Sequence, residues 1–266
     1  MAYRTILVDL NSAGSVEARL ETARALASRF DATVVGLYVS LPPFDPVVQP
    51  IGTPAYVPPE VVEARRKAGQ EAKERLRIAF DRVCGAGPTA AWREVEGDPG
   101  PLLAKAAHAS DLVVTVRNDV SGMAEQLVTA AGVPVLALAP GAARDLGRVV
   151  LVGWNGSREA ARAAHDALPL LRGAERLVLC AVGERAAAGL DDAAAMLGRH
   201  QVAVRPERVG GPDATAGEVL LARAAAHRAD LLVMGAYGHS RLRELVFGGA
   251  TRHVLREAPL PVLFSG

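Results

Sequence analysis

Short apolar runs alternate with helix-periodic stretches along the whole chain. The apolar runs are about four to eight residues long and rich in valine, isoleucine and leucine, which is typical of strands buried on both faces of a sheet. Between them, apolar residues recur at the spacing of one helix face. Strands that alternate with helices in this way predict βαβ units and a mainly parallel sheet, so the expected fold class is α/β.

Five strands are predicted in each half of the chain. In the first half they are Arg4–Leu10, Thr33–Val39, Ala90–Glu96, Leu112–Val116 and Pro134–Leu138, and in the second half they are Arg148–Trp154, Arg176–Val182, Val202–Val209, Leu231–Met234 and Pro261–Phe264. Five strands with their helices make one ordinary α/β domain. We therefore expect two domains, not one.

The two halves also repeat each other in sequence. AHASDLVV, which contains Asp111, matches AHRADLLV, which contains Asp230, at an offset of 119 residues. ILVDLNSAGSVEARLETARAL is echoed by VLVGWNGSREAARAAHDAL, and GVPVLALAP by LPVLFSG. The repeat predicts tandem domains at residues 1–140 and 147–266, joined by the polar segment PGAARDLGR.

The first half carries an insertion that the second half lacks. Residues 41–59 are rich in proline, and a long amphipathic helix follows with Val61, Ala68, Ala72, Leu76 and Phe80 on one face. The proline-rich segment can be a lid, a partner-binding loop or a variable surface excursion, and we favour the last.

Composition and charge narrow the class of ligand. Of the 266 residues, 50% are hydrophobic and 22% are charged, and the net charge of +1 gives no general attraction to nucleic acid or an anionic membrane. No run of about 18 apolar residues occurs. Cys84 and Cys180 are the only cysteines, and Cys180 lies in the apolar run LVLCAV, where a core position is expected. We expect a cytoplasmic protein with a small-molecule ligand.

Glycines cluster in MGAYGHSRLRELVFGGAT, from Met234 to Thr251. Gly235 and Gly238 follow a predicted strand, and Gly248 and Gly249 precede a predicted helix. Helix amides and glycine backbone can hold phosphate at this edge of a parallel sheet. The alternative is that the glycines shape a turn and separate two helices.

The side chains of this segment do not decide between phosphate binding and a turn. The hydroxyl of Thr251 suits either phosphate binding or helix capping. His239 has no partner at metal-ligand spacing, and the segment offers no carboxylate pair and no nucleophile beside a base. We therefore predict no catalytic and no metal-binding residue.

The segment GAYGHSRLRELVFGGATRHVL, after DLLVM, resembles the signature of the universal stress protein family, G-x2-G-x9-G-(S/T) in its nucleotide-binding members. The spacing of Gly235, Gly238 and Gly248 fits it. The resemblance implies, for each half, a five-stranded parallel sheet of order 3-2-1-4-5. It also implies ATP or AMP, with or without Mg, at the carboxyl ends of strands one and four.

The resemblance assigns site residues in the second half. Val182 is expected against the adenine, and Thr251 supplies a hydroxyl at the start of the last helix. Gly249 stands where the signature has Ser or Thr, and Asn155 where the family has Asp, so a hydroxyl and a charge are lost. The expected nucleotide-binding residues are Asn155, Val182, Met234, Gly235, Gly238, Gly248, Gly249, Ala250 and Thr251.

The first half has Asp9 and Asn11 at the end of strand one but no phosphate loop. We therefore predict one nucleotide site per chain, with the first half as a degenerate partner. Tandem members resemble two monomers of a dimer fused head to tail, and the apolar edges PVLAL and PVLF fit such a pseudo-dimer. Pairing into a homodimer stays open.

Three functions remain in competition at this stage. The leading hypothesis is a nucleotide-binding stress-response or regulatory protein. The second is a slow ATP hydrolase on the same fold. The third is an interaction protein that has lost the nucleotide, which the residues Gly249 and Asn155 favour.

Overall fold

All ten predicted strands are present in the structure, a computed structural model that describes residues 2–42, 58–85, 87–117, 121–139, 146–211, 216–236 and 249–266. The strands are β1 (Thr5–Asp9), β2 (Thr33–Ser40), β3 (Ala90–Glu96), β4 (Leu112–Val116), β5 (Val135–Leu138), β6 (Val149–Trp154), β7 (Arg176–Val182), β8 (Val204–Val209), β9 (Leu231–Gly235) and β10 (Val262–Ser265). Their bounds differ from the predicted ones by at most two residues.

Helices connect successive strands within each half. In the part of the chain described they are α1 (Val16–Phe30), α2 (Pro59–Cys84), α3 (Pro99–Ala107), α4 (Met123–Ala130), α5 (Arg158–Asp166), α6 (Leu168–Leu171), α7 (Glu184–Ala187), α8 (Leu190–Arg199), α9 (Ala216–His227) and α10 (Ala250–Glu257). Side-chain caps fix several starts. Ser15, Asp98 and Ser157 each accept a hydrogen bond from a first-turn amide of α1, α3 and α5.

The strands form one continuous sheet of ten, in the order β3-β2-β1-β4-β5-β10-β9-β6-β7-β8. Each half has the order 3-2-1-4-5 that the family resemblance implies, with parallel pairing inside the half. The repeated aspartates help to set this arrangement. Asp111 accepts hydrogen bonds from the amide of Thr5, and Asp230 from the amides of Gly147 and Val149, so each fixes the start of the first strand of its half.

The halves meet through β5 and β10, which pair antiparallel with Leu136 opposite Leu263. The predicted pairing of PVLAL and PVLF is confirmed. A hydrophobic core lies on each face of the sheet, and both cores contain residues of both halves. Neither half has a hydrophobic core of its own, so the two halves form one structural unit.

The burial of α2 differs from the prediction, and most of the proline-rich segment lies outside the described residues. Helix α2 was expected to bury one face from Val61 to Phe80, yet Val61 is 41% exposed and full burial occurs only at Ala79 and Phe80. A helix of 26 residues is about 39 Å long, whereas strands of seven or eight residues span about 25 Å, so α2 is longer than the strands on which it packs. Residues 43–57 of the proline-rich segment lie outside the described residues.

The predicted core position of Cys180 is confirmed, since its side chain is fully buried in β7. Burial raises the pKa of Cys84 and of Cys180 to about 11, so both thiols stay protonated at neutral pH. Within the described ranges, no helix is both long and apolar enough to cross a bilayer.

The shared sheet and cores predict one cooperative unfolding transition for the whole chain. Trp92 in β3 and Trp154 in β6 are the only tryptophans, one in each half, so Trp92→Phe and Trp154→Phe variants each leave one reporter. In a urea titration followed by fluorescence, each variant should show the same midpoint by fluorescence as by circular dichroism. Separate transitions for the two reporters would contradict the shared core.

Candidate functional site

Three adjacent strands of the second half end at the same edge of the sheet, in the order β9-β6-β7. Met234 and Gly235 end β9, Asn155 follows β6, and Val182 ends β7. The structure therefore brings four of the sequence-predicted residues to one carboxyl edge. Met234 and Val182 are buried, whereas Asn155 is exposed.

Helix α10 begins beside this edge. Gly249 is its N-cap and has no side chain to bond the first amides, Ala250 is the first helical residue, and Thr251 is buried. A Cβ added to Gly217 of α9 would lie 3.1 Å from the carbonyl oxygen of Ala250. The start of α9 thus fixes the start of α10 by close backbone contact. Gly238 and Gly248 lie outside the described residues.

Gly235 has a structural reason to be glycine. A Cβ at this position would lie 2.6 Å from the amide nitrogen of Ala160 and 2.6 Å from the carbonyl carbon of Glu159. Both belong to the first turn of α5, whose backbone packs directly on the end of β9. The sequence analysis assigned Gly235 to a phosphate loop or a turn and did not predict this contact. The one feature of the sequence that indicates it is the short connection of three residues from β6 to α5.

Glu159 places a negative charge at the start of α5. Burial raises its pKa, but hydrogen bonds from Arg158, from its own amide and from Ser157 lower it, and the net shift is downward. The carboxylate is therefore ionised at neutral pH, where it stabilises the positive end of α5. The Arg158 guanidinium forms an ion pair with this carboxylate and offsets part of its charge.

The sheet registers align the two halves position by position. Ile6 pairs with Leu112 as Val150 pairs with Leu231, and Asp9 pairs with Leu37 as Gly153 pairs with Cys180. Equivalent positions on this alignment are Asp9 and Gly153, Asn11 and Asn155, Val39 and Val182, Thr115 and Met234, Val116 and Gly235, and Arg117 and Ala236.

Asn11 and Asn155 occupy equivalent positions but make different hydrogen bonds. Asn11 donates from Nδ2 to the carbonyl oxygen of Val39 at 2.6 Å and accepts from the amide of Val39 at 2.9 Å. Asn155 instead accepts from the amide of Ser157 at 3.1 Å and makes no such pair with Val182. The end of the second strand is thus occupied by a side-chain amide in the first half and not in the second.

A buried polar cluster further closes the first half. The carboxylate of Asp9 accepts hydrogen bonds from the Ser12 hydroxyl, from the Thr115 hydroxyl at 2.7 Å and from the amide of Asn11 at 2.8 Å. Asp9 is fully buried. Asp9 and Asn11 therefore stabilise the β1–α1 connection, and the only sequence signal for this was a threonine in the otherwise apolar run LVVTV.

Arg117 is a residue that sequence reasoning did not single out. It follows β4 of the first half, is 2% exposed, and donates to the carbonyl oxygens of Leu255 at 3.0 Å and of Ala258, at the C-terminal end of α10. Burial lowers its pKa, and the nearby Glu257 opposes that shift. The side chain links one half to the helix that starts at the candidate site of the other.

No group of three or more His, Cys, Asp or Glu in the described part of the chain is arranged to hold a metal ion. The prediction of no metal-binding residue stays a prediction.

Gly235→Ala tests whether this glycine is needed for packing. The added methyl group meets the backbone of α5, so we expect the free energy of unfolding to fall by about 1–3 kcal/mol even without a ligand. Gly198→Ala in α8 is the matched control, because nothing lies within 4 Å of its added Cβ. That control should raise stability by about 0.5–1 kcal/mol. Equal effects in urea denaturation would show that Gly235 has no packing role.

Residues 147–265 match the model of the universal stress protein family. Universal stress protein Slr1230 of Synechocystis sp. is 62% identical over 34 residues, and the matched segment spans 13% of this chain and only 12% of that protein.

The fold of the whole chain is shared with a solved structure. A universal stress protein from Archaeoglobus fulgidus DSM 4304 has a TM-score of 0.74 at 18% identity, covering 99% of this chain and 96% of that one. Another universal stress protein from Archaeoglobus fulgidus, solved in complex with dAMP, covers 52% of this chain and 98% of its own at 17% identity, with a TM-score of 0.34. The second half therefore belongs to the universal stress protein family, and the ten strands, arranged as two 3-2-1-4-5 halves, repeat the same strand order in tandem.

Proposed function

We propose that this chain binds one adenine nucleotide, ATP or AMP, in its second half and acts as a cytoplasmic stress-response or regulatory protein. The observation that carries the proposal is the difference between the two equivalent edges. In the first half, the Asn11 amide bonds both backbone groups of Val39. In the second half, Asn155 leaves Val182 without that partner, at an edge that also receives the start of α10.

The charges of the described residues favour one orientation of the nucleotide. The adenine lies against Val182 and Met234, which offer buried apolar surface at the ends of β7 and β9. The phosphates lie toward Gly249 and Thr251, where the amides of α10 and its dipole favour negative charge. The motif glycines Gly238 and Gly248 would complete the phosphate contacts.

The alternative function is that of an interaction protein without a nucleotide. Two features favour it: the Gly249 cap has no hydroxyl, and Asn155 brings no charge to the base or ribose. Slow ATP hydrolysis stays a third hypothesis, which no specific observation in the described residues favours. Binding and its absence are therefore the outcomes to separate.

Isothermal titration of ATP and of AMP, with and without magnesium, into nucleotide-free protein tests the proposal. We expect close to one equivalent bound per chain, because the second half carries the glycine motif and lacks the hydrogen bonds that Asn11 makes to Val39 in the first half. Two equivalents would show that Asn11 does not close the first half. No heat, together with an unchanged melting temperature in the presence of either nucleotide, would favour the interaction protein.

Gly238→Asp tests the place of the phosphates. The variant adds bulk and negative charge within the motif, so we expect at least a tenfold loss of ATP affinity, which is about 1.4 kcal/mol. Gly198→Asp adds the same group to an exposed helix of the same half and should leave the affinity unchanged. Unaltered binding by the Gly238→Asp variant would place the phosphates elsewhere.

A further inference from the structure

The joint between the halves contains a buried charge that bonds to the helix of the proposed site. Arg117 follows β4, and its guanidinium donates to the carbonyl oxygens of Leu255 and Ala258 at the end of α10, with a longer contact of 3.4 Å to Val254. The last carbonyls of a helix have no partner within the helix, and a cation there is favoured by the helix dipole.

Helix carbonyls are the described partners of this charge. Within the described ranges no carboxylate forms an ion pair with Arg117 at 4.0 Å or less, and its Nε has no hydrogen-bond partner. Burying an arginine without such partners would be costly, so moving the end of α10 away would leave the guanidinium unsatisfied. The positions of Arg117 and α10 therefore depend on each other.

The other end of α10 carries three residues of the proposed site, Gly249, Ala250 and Thr251. The helix has eight residues, so its two ends are only about 12 Å apart. Thr251 at the start of α10 and Val254 and Leu255 at the Arg117 end are all buried, so both ends of this short helix pack in the core. A displacement at the Arg117 end is thus transmitted to the amides at the start of the helix.

The contact between Arg117 and α10 has no equivalent from the second half to the first. The position equivalent to Arg117 in the second half is Ala236, which has no side chain able to reach a helix end. Two identical subunits of a dimer would make the contact twice or not at all. The tandem chain instead has one half that supplies a charge and another whose helix receives it.

We propose that Arg117 is a positioning residue for the nucleotide site: the first half holds α10 of the second half in the conformation that binds phosphate. The inference rests on the proposed function and adds to it a role for the degenerate half. Because binding couplings are reciprocal, the nucleotide in turn tightens the joint between the halves.

ATP affinities of Arg117→Ala, Arg117→Lys and Arg29→Ala variants test this inference. Arg29 is the matched control, since it also crosses between the halves, donating to the carbonyl oxygens of Leu146 and Leu170, but does not contact α10. We expect Arg117→Ala to lose about tenfold in affinity and Arg29→Ala to stay within about twofold of the wild type. Arg117→Lys keeps the charge but not the fork of donors, so its affinity should lie between those of the wild type and Arg117→Ala.

Hydrogen exchange supplies a readout that a merely structural role would not change. ATP should slow hydrogen exchange of the β5 and β10 amides in the wild type and in Arg29→Ala, and should slow it less in Arg117→Lys. If Arg117→Ala does not fold, the comparison rests on Arg117→Lys alone. Equal affinity losses in the Arg117 and Arg29 variants, or no loss in either, would overturn the inference while leaving the proposed function in place. A wild-type chain that binds no nucleotide would overturn both.

Discussion

The antiparallel pairing of β5 with β10 is the interaction on which the rest of the structure depends. Both strands are apolar and buried, and each is the last strand of its half. Left unpaired, either would expose a row of backbone donors and acceptors and an apolar edge. Pairing them satisfies those groups and merges two five-stranded units into one ten-stranded sheet, with a continuous core on each face.

Although the two halves share one sheet, they differ in the polar groups at its carboxyl edge and in the connections from strand to helix. In the first half, Asp9, Asn11 and Thr115 hydrogen-bond to neighbouring groups at the carboxyl edge of the sheet. It also has a six-residue connection from β1 to α1, in place of the three residues between β6 and α5. The short connection brings α5 onto the end of β9, where only the glycine at position 235 fits. The same sheet position holds Val116 in the first half.

Much of the fold was predictable because it follows from local patterns. Buried parallel strands give continuous apolar runs, and the tandem repeat showed that the same pattern occurs twice, so all ten strands followed. The pairing of PVLAL with PVLF was implied by the resemblance to tandem members of the family, with which their apolar edges agree. The contacts between distant segments were not predictable. Nothing in the sequence near Arg117 indicates that its partners are carbonyl groups about 140 residues away. The packing of Gly235 on α5 and the opposite uses of Asn11 and Asn155 likewise depend on three-dimensional positions that periodicity does not encode.

A crystal structure of the chain grown with ATP would show whether the second half alone holds a nucleotide. We expect one nucleotide per chain, with its base beside Val182 and its phosphates at the start of α10, and with the Asn11 amide still bonded to Val39. A nucleotide at Val39 with Asn11 displaced, or density only at a place unrelated to either sheet edge, would contradict it.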